Sequence, residues 1–199
     1  MSKKSVLWTA VLALVLLAPQ ARAAAKEWSI TLGGGIAAPV SDFKDDAKLG
    51  YMGSVGADYT VKENVAIGVD GSFISNSASD ASLALLPAGA SAKTQILQGG
   101  AHLKYMFPMA SESNIAPYLV GGLGAYNVKD KVETSLGNTD LSSTKFGARG
   151  GIGLMYKTSP KVSIGVESAY HWINTDNTSL QFISVQAGVS IGMGTPAAN

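Results

Sequence analysis

The chain has 199 residues, with 15 Lys plus Arg against 14 Asp plus Glu, 23 glycines and no cysteine. That length suits one domain, and a near-neutral balance lacks the strongly basic face that nucleic acid requires. The absence of thiols excludes disulfides and a cysteine-borne lipid anchor.

Lys3 and Lys4 precede an apolar run from Val6 to Leu17, Pro19 breaks it, and Ala21-Arg22-Ala23 and Ala23-Ala24-Ala25 both offer the small-x-small pattern of a secretory cleavage site. The run is shorter than the roughly 20 residues of a helical span. Residues 1–23 are therefore expected to be a removed signal peptide, with 24–199 forming the mature domain. Cleavage after Ala23 takes three basic residues and no acidic one, leaving a formal charge of −2. After the signal no run of 18 apolar residues occurs, so any membrane crossing must be made by strands.

Alternation of apolar and small or polar residues, the signature of a strand with one apolar face, recurs along the chain. Trp28–Val40 alternates Trp28, Ile30, Leu32 and Ile36 with Ser29, Thr31, Gly33 and Gly35. Ser41–Lys48 is a charged loop. Gly50–Val61 sets Tyr51, Val55 and Tyr59 against Ser54 and Asp58; after a Lys62-Glu63-Asn64 turn, Val65, Ile67, Val69 and Phe73 oppose Ala66, Gly68, Asp70 and Ser72. These two form a hairpin. Asn76–Lys93 reads as a long Ser/Ala-rich connection, its Leu83-Ala84-Leu85-Leu86 run fitting either a helical turn or a packed loop.

Thr94–Phe107 places Leu97, Leu103, Tyr105 and Phe107 opposite Gln98, His102 and Lys104. Ala116–Asn127 is apolar on both parities, which leaves the faces of Tyr118 and Tyr126 open. Val128–Ser143 reads as a long polar loop. Lys145–Lys157 (K-F-G-A-R-G-G-I-G-L-M-Y-K) has an apolar face with Phe146, Ile152, Leu154 and Tyr156, and a face of Gly147, Gly151, Gly153, Lys145 and Arg149. Lys161–Asn174 sets Ile164, Val166, Tyr170 and Trp172 against Glu167 and His171. Asp176–Thr178 is a brief loop, Leu180–Met193 alternates again, and Gly194–Asn199 is a tail.

Eight strands with long connections alternating with short ones predict an all-β, eight-stranded antiparallel up-and-down transmembrane barrel, short turns and both termini on the periplasmic side. Asp58, Asp70, His102, Lys104, Lys145, Arg149, Glu167 and His171 all lie opposite the apolar face. Lipid charges about 2–4 kcal/mol for an Arg or Lys at the midplane, so these residues are assigned to the lumen as a paired charge network. Trp28, Tyr51, Tyr59, Tyr105, Phe107, Tyr156, Tyr170 and Trp172 lie near strand ends on the apolar parity and are assigned to two aromatic girdles.

The signal, the eight alternating segments and the stretches P-Y-L-V-G-G-L-G-A-Y (Pro117–Tyr126), K-F-G-A-R-G-G-I-G-L-M-Y and V-S-I-G-V-E-S-A-Y-H-W resemble the OmpA-like family of small outer-membrane barrels, OmpX- and OmpW-like. The resemblance implies an outer-membrane location over nearly the whole mature chain. It departs in lacking a terminal aromatic, since the last strand ends near Met193. The peptidoglycan-anchoring role of longer relatives is not expected.

Chemistry is sparse. Ser168, three residues before His171, falls on the opposite face, and the His-x-Ser of the lipid A deacylases fails at Ile173. Two histidines on separate strands are a weak metal signal, with no cysteine to join them, and Gly33-Gly34-Gly35 precedes no helix. No cofactor and no enzyme activity are expected. The expected role is structural or surface interaction, by a monomer in contact with lipid and lipopolysaccharide. Asp80, Asp130, Lys131 and Glu133 on the loops are candidates for an extracellular partner. A narrow channel for small or apolar solutes is the alternative, and a soluble lipocalin-like periplasmic barrel a third reading.

Overall fold

The structure is a computed structural model that describes residues 27–84, 86–87, 89–108, 113–134, 137–175 and 179–193. The expected signal peptide, the Asp176–Thr178 loop and the Gly194–Asn199 tail lie outside these residues. Eight strands run in chain order: β1 (Trp28–Val40), β2 (Gly50–Lys62), β3 (Val65–Ser77), β4 (Ser91–Met106), β5 (Ile115–Thr134), β6 (Gly137–Lys157), β7 (Val162–Asn174) and β8 (Ser179–Gly192). Each pairs antiparallel with its neighbour, and β8 returns to β1 through pairs such as Ile36–Val185 and Ile30–Ile191, so the sheet closes into a barrel. No described helix is long and apolar enough to cross a membrane. Two short ones sit in connections, α1 (Phe43–Asp46) and α2 (Asp80–Ala84).

Closure removes sheet edges, and the pleat then sorts the side chains. Leu32, Val69, Leu97, Leu123 and Ile152 are each about 60% exposed or more. Their neighbours on the other parity are small, polar or buried. This is an inside-out arrangement, with the apolar face outward over the length of the wall, as a bilayer demands. A soluble lipocalin-like barrel needs the reverse, so that reading is set aside.

The pattern places strand boundaries within a few residues except in one region. Val128–Ser143, expected to be a loop, is the outer half of a long hairpin: β5 and β6 stay in unbroken register from Ile115–Tyr156 to Thr134–Gly137. The missing signal is apolar alternation. Beyond Asn127 polar and charged residues fall on both faces, because the ribbon is wetted on both sides, and backbone pairing holds it together with side-chain bonds such as Lys129–Asp140 and Thr94–Asp130. Likewise β3 extends to Ser77 and β4 begins at Ser91, and the helical turn of that connection is centred earlier than Leu83–Leu86.

Tyr118 and Tyr126, whose faces the sequence leaves open, both point inward and are buried. The glycines of β6 make room for them. A Cβ on Gly153 would stand 2.2 Å from Tyr118 Cζ, and one on Gly147 would stand 2.7 Å from Tyr126 Cε2. Glycine on the inner face of this strand is thus space for two tyrosine rings from the next one.

Candidate functional site

The lumen is filled in two layers of different chemistry. The middle layer is a belt of charge. His102 on β4 sits between two carboxylates, Nε2 2.7 Å from Asp58 Oδ1 and Nδ1 2.7 Å from Asp70 Oδ1. Lys104 Nζ donates to Asp58 Oδ2 at 2.9 Å, and Arg149 donates from Nη2 to Asp70 Oδ1 at 2.7 Å and from Nη1 to Glu167 Oε1 at 3.3 Å. Gln98 donates to Asp70 Oδ2 and Tyr118 to Glu167 Oε2. Gln186 Nε2 donates to Glu167, and Ser54 in turn donates to Gln186. The chain of bonds therefore runs through β2, β3, β4, β5, β6, β7 and β8. The ionic side chains are no more than 11% exposed, so each depends on its partners to offset lost hydration. Two carboxylates are both satisfied at one imidazole only when both ring nitrogens donate.

The other layer, at the long-loop end, is apolar. Ala37, Met52, Ile74, Ile96, Tyr126, Ile173 and Phe182 converge there, joined from above by Phe43 of α1 and by Ala47. His171 belongs to this cap and not to the charge belt where the sequence pattern placed it. Its ring stacks on Phe182, with centroids 4.3 Å apart and planes at 11°. Lys145, the other outlier, lies in register with Tyr126 at the level of the cap. Parity alone could not separate the layers, because it says which face a residue takes and nothing of its height.

His171 does meet a serine, one that local sequence could not indicate: Ser184 of β8 lies 3.0 Å from Nε2. Ser184 Oγ also donates to the Ala169 carbonyl at 3.3 Å, so Nε2–H is the donor to Ser184. Nδ1 then accepts from the Tyr126 hydroxyl at 3.2 Å. The basic lone pair faces tyrosine instead of serine, the reverse of what nucleophile activation needs. Both residues are at most 2% exposed. The described residues contain no group of three or more His, Asp and Glu placed to hold a metal.

The lid over the cap is laced to the β3–β4 connection. Asn76 Nδ2 donates to the Lys48 and Ala37 carbonyls at 2.8 and 3.1 Å. Lys48 N–H donates to Ser77 O and Ser79 N–H to Asp46 O, while Lys48 and Asp80 form an ion pair at 2.6 Å. Within the belt and just to its short-turn side the polar lumen holds two small cavities of about 50 and 60 Å³. Toward the short-turn end it widens into a polar vestibule of about 340 Å³ lined by Glu27, Glu63, Lys157 and Lys161 among others.

Outside, the eight expected girdle aromatics fall on the apolar parity at the two ends of the wall. Trp28 packs on Tyr59 (4.9 Å between centroids) and Tyr105 on Phe107 (5.4 Å), with Tyr156, at the short-turn end; Tyr51, Tyr170 and Trp172 lie at the other. Phe73, 6.5 Å from Tyr51, and the exposed Phe146 extend the second group. Both carry the same parity signal as the eight.

The model of the outer membrane protein beta-barrel domain family matches residues 9–191. The chain belongs to that family. As a barrel of this family it is an outer-membrane protein of the Gram-negative envelope. Solved structures place it among small barrels. Neisserial surface protein A matches at TM-score 0.60 and 20% identity, over 82% of this chain and 96% of that one. The Yersinia pestis attachment invasion locus protein Ail, solved with the heparin analogue sucrose octasulfate, matches at 0.54 and 19%, over 84% and 100%. Pseudomonas aeruginosa OprG matches at 0.53 and 12%, over 86% and 98%. These likenesses concern the fold. No curated protein sequence matches.

Proposed function

We propose that this outer-membrane barrel acts as a surface-interaction protein, with the β5–β6 ribbon as its contact element. The orientation assumed is the usual one, short turns and termini in the periplasm and long loops outside. The observation that carries the reading is a free strand edge. β7 pairs with β6 only from Gly147 onward, whereas β5 pairs with it back to Gly137. Among the described residues, no strand pairs with the other side of Gly137–Thr144, beyond the closed part of the barrel. Unpaired N–H and C=O groups in a row are a template for adding an extended segment from another protein.

The filled lumen supports the same reading against a channel. A charge belt with each carboxylate bonded, under an apolar cap, serves as a plug, and the buried serine–histidine pair is structural. To test the role, a library of displayed unstructured peptides would be panned against the barrel in lipid nanodiscs. Peptides should be enriched whose binding disappears in a variant lacking residues 131–140 that still folds. Enrichment that ignores the deletion would sink the proposal.

A further inference from the structure

The edge left unpaired along Gly137–Thr144 has a sequence that complements itself. All eight residues are exposed, and they carry one charge, Asp140, and one large apolar side chain, Leu141, 69% exposed. Across an antiparallel pair, opposite residues share a face of the sheet. A second copy added symmetrically to this edge must therefore pair residues of equal parity. One register fits. A centre at Asp140 sets two carboxylates opposite each other, which repel. A centre at Ser142 sets Leu141 against Ser143 and shortens the overlap to Asp140–Thr144. A centre at Leu141 overlaps Asn138–Thr144 and sets Leu141 against its own copy, Asp140 against Ser142, Thr139 against Ser143 and Asn138 against Thr144. The serine hydroxyl is then a donor beside the carboxylate. Val128 and Val132, in register with Ser143 and Thr139, stand diagonally from Leu141 and enlarge its apolar contact. Asp140 keeps Lys129 at 2.7 Å, and beyond the facing Ser142 the next residue across is the second copy's Lys129. No like charges are opposed directly across the seam.

Symmetry decides how the copies meet. Two copies in one membrane are related by rotation about its normal, which leaves their strands pointing the same way. At equal height it also turns equivalent residues to opposite faces, out of phase with a shared pleat. A two-fold axis perpendicular to the sheet instead gives the antiparallel ladder, keeps the faces in phase and reverses the barrel axis. We infer that the β6 edge pairs with the same edge of a second copy, centred on Leu141, and so joins barrels held in two facing membranes. This pairing names a partner for the free edge proposed above and rests on that edge being open.

The chain has no cysteine, so introduced cysteines report the register directly. The mature barrel would be reconstituted in lipid nanodiscs at one or two copies each and treated with a short bifunctional maleimide. Leu141→Cys should cross-link barrels held in separate nanodiscs. Asn138→Cys and Thr144→Cys should each stay uncross-linked alone, because equivalent positions lie about 20 Å apart at about 3.4 Å per residue. Mixed together, these two should cross-link. Leu141→Asp should weaken association at least about fivefold, since an apolar cross-strand pair gives way to a like-charged one. Mixing it with Leu141→Lys should restore association, a recovery that misfolding would not produce. Equal cross-linking at all three positions, or no recovery in the Asp and Lys mixture, would overturn the inference. So would dimers that form only between copies sharing one nanodisc. Peptides captured by the edge in the panning experiment, with Leu141→Cys uncross-linked, would remove self-pairing and leave the open edge standing. Failure of both would remove both.

Discussion

Arg149 is the residue on which most of the lumen belt converges. It holds Asp70 and Glu167 together, and its removal leaves two buried carboxylates short of a partner. Breaking a buried ion pair from one side typically costs about 3–5 kcal/mol. Arg149→Ala should therefore lower the unfolding free energy of the barrel, measured by urea titration in lipid vesicles, by an amount in that range. A change under about 1 kcal/mol, the scale of a surface pair, would show that water reaches the belt and replaces the guanidinium. Gly153 poses a complementary test of crowding. A methyl group there overlaps the Tyr118 ring, with contacts to 2.2 Å, so Gly153→Ala forces tyrosine and its bond to Glu167 to move. Overpacking of this kind costs about 1–3 kcal/mol. Combining Gly153→Ala with Tyr118→Phe should not restore stability, since ring atoms Cζ and Cε1 stay in the way without the hydroxyl, whereas Tyr118→Ala in the same background should recover part of it.

Among the elements, the segment carrying α1 is tied to β1 by the Asn76 side chain and to the β3–β4 connection by the Ser77, Ser79 and Asp80 contacts. Asn76 donates to carbonyls on both the lid segment and β1, and in Asn76→Ala those two acceptors lose their donor at a buried site. Each buried group left unsatisfied costs about 1–3 kcal/mol, enough to loosen a four-residue helix that buries little besides Phe43 and Ala47. Trypsin should then cut at Lys44 or Lys48 at least several-fold faster than in the native barrel, with the strands still protected. Unchanged cleavage would mean that the Ser79 and Asp80 contacts suffice alone. The β5–β6 ribbon shows a different balance. Its outer half has few apolar contacts, so the amides of Gly137–Thr144 that do not bond to β5 should exchange quickly, and those bonded to β5 more slowly.

At the scale of the whole molecule, closure and filling together predict a resistant and poorly conducting barrel. The unboiled protein should migrate apart from the boiled form on an SDS gel, since detergent cannot peel an edge strand from a sheet that has no edge within the wall. In planar bilayers it should carry no steady ohmic current. A stable open conductance, abolished by blocking the lumen at Arg149 or Glu167, would replace the plug with a pore. Much of this architecture was legible in the residues themselves. The parity of Asp58, Asp70, Lys104, Arg149 and Glu167 against the Val, Ile and Leu face assigns inside and outside, because a bilayer penalises charge on one side only. The girdle aromatics follow from the same parity.

What the sequence by itself determined is which face of every strand but β5 meets lipid, how many strands there are, and so the barrel. Two-residue periodicity is a local property, and the membrane makes it decisive. What only the tertiary structure decided is everything that depends on height and on neighbours across strands. It placed His171 in an apolar cap beside Ser184, brought His102 between Asp58 and Asp70, and set Lys93 against Lys131. It also turned Val128–Ser143 into a paired ribbon. Those relations come from strand register, which is fixed by the closure of the whole sheet and by rings such as Tyr118 and Tyr126 finding space opposite glycine, and no single strand carries that information in its own pattern.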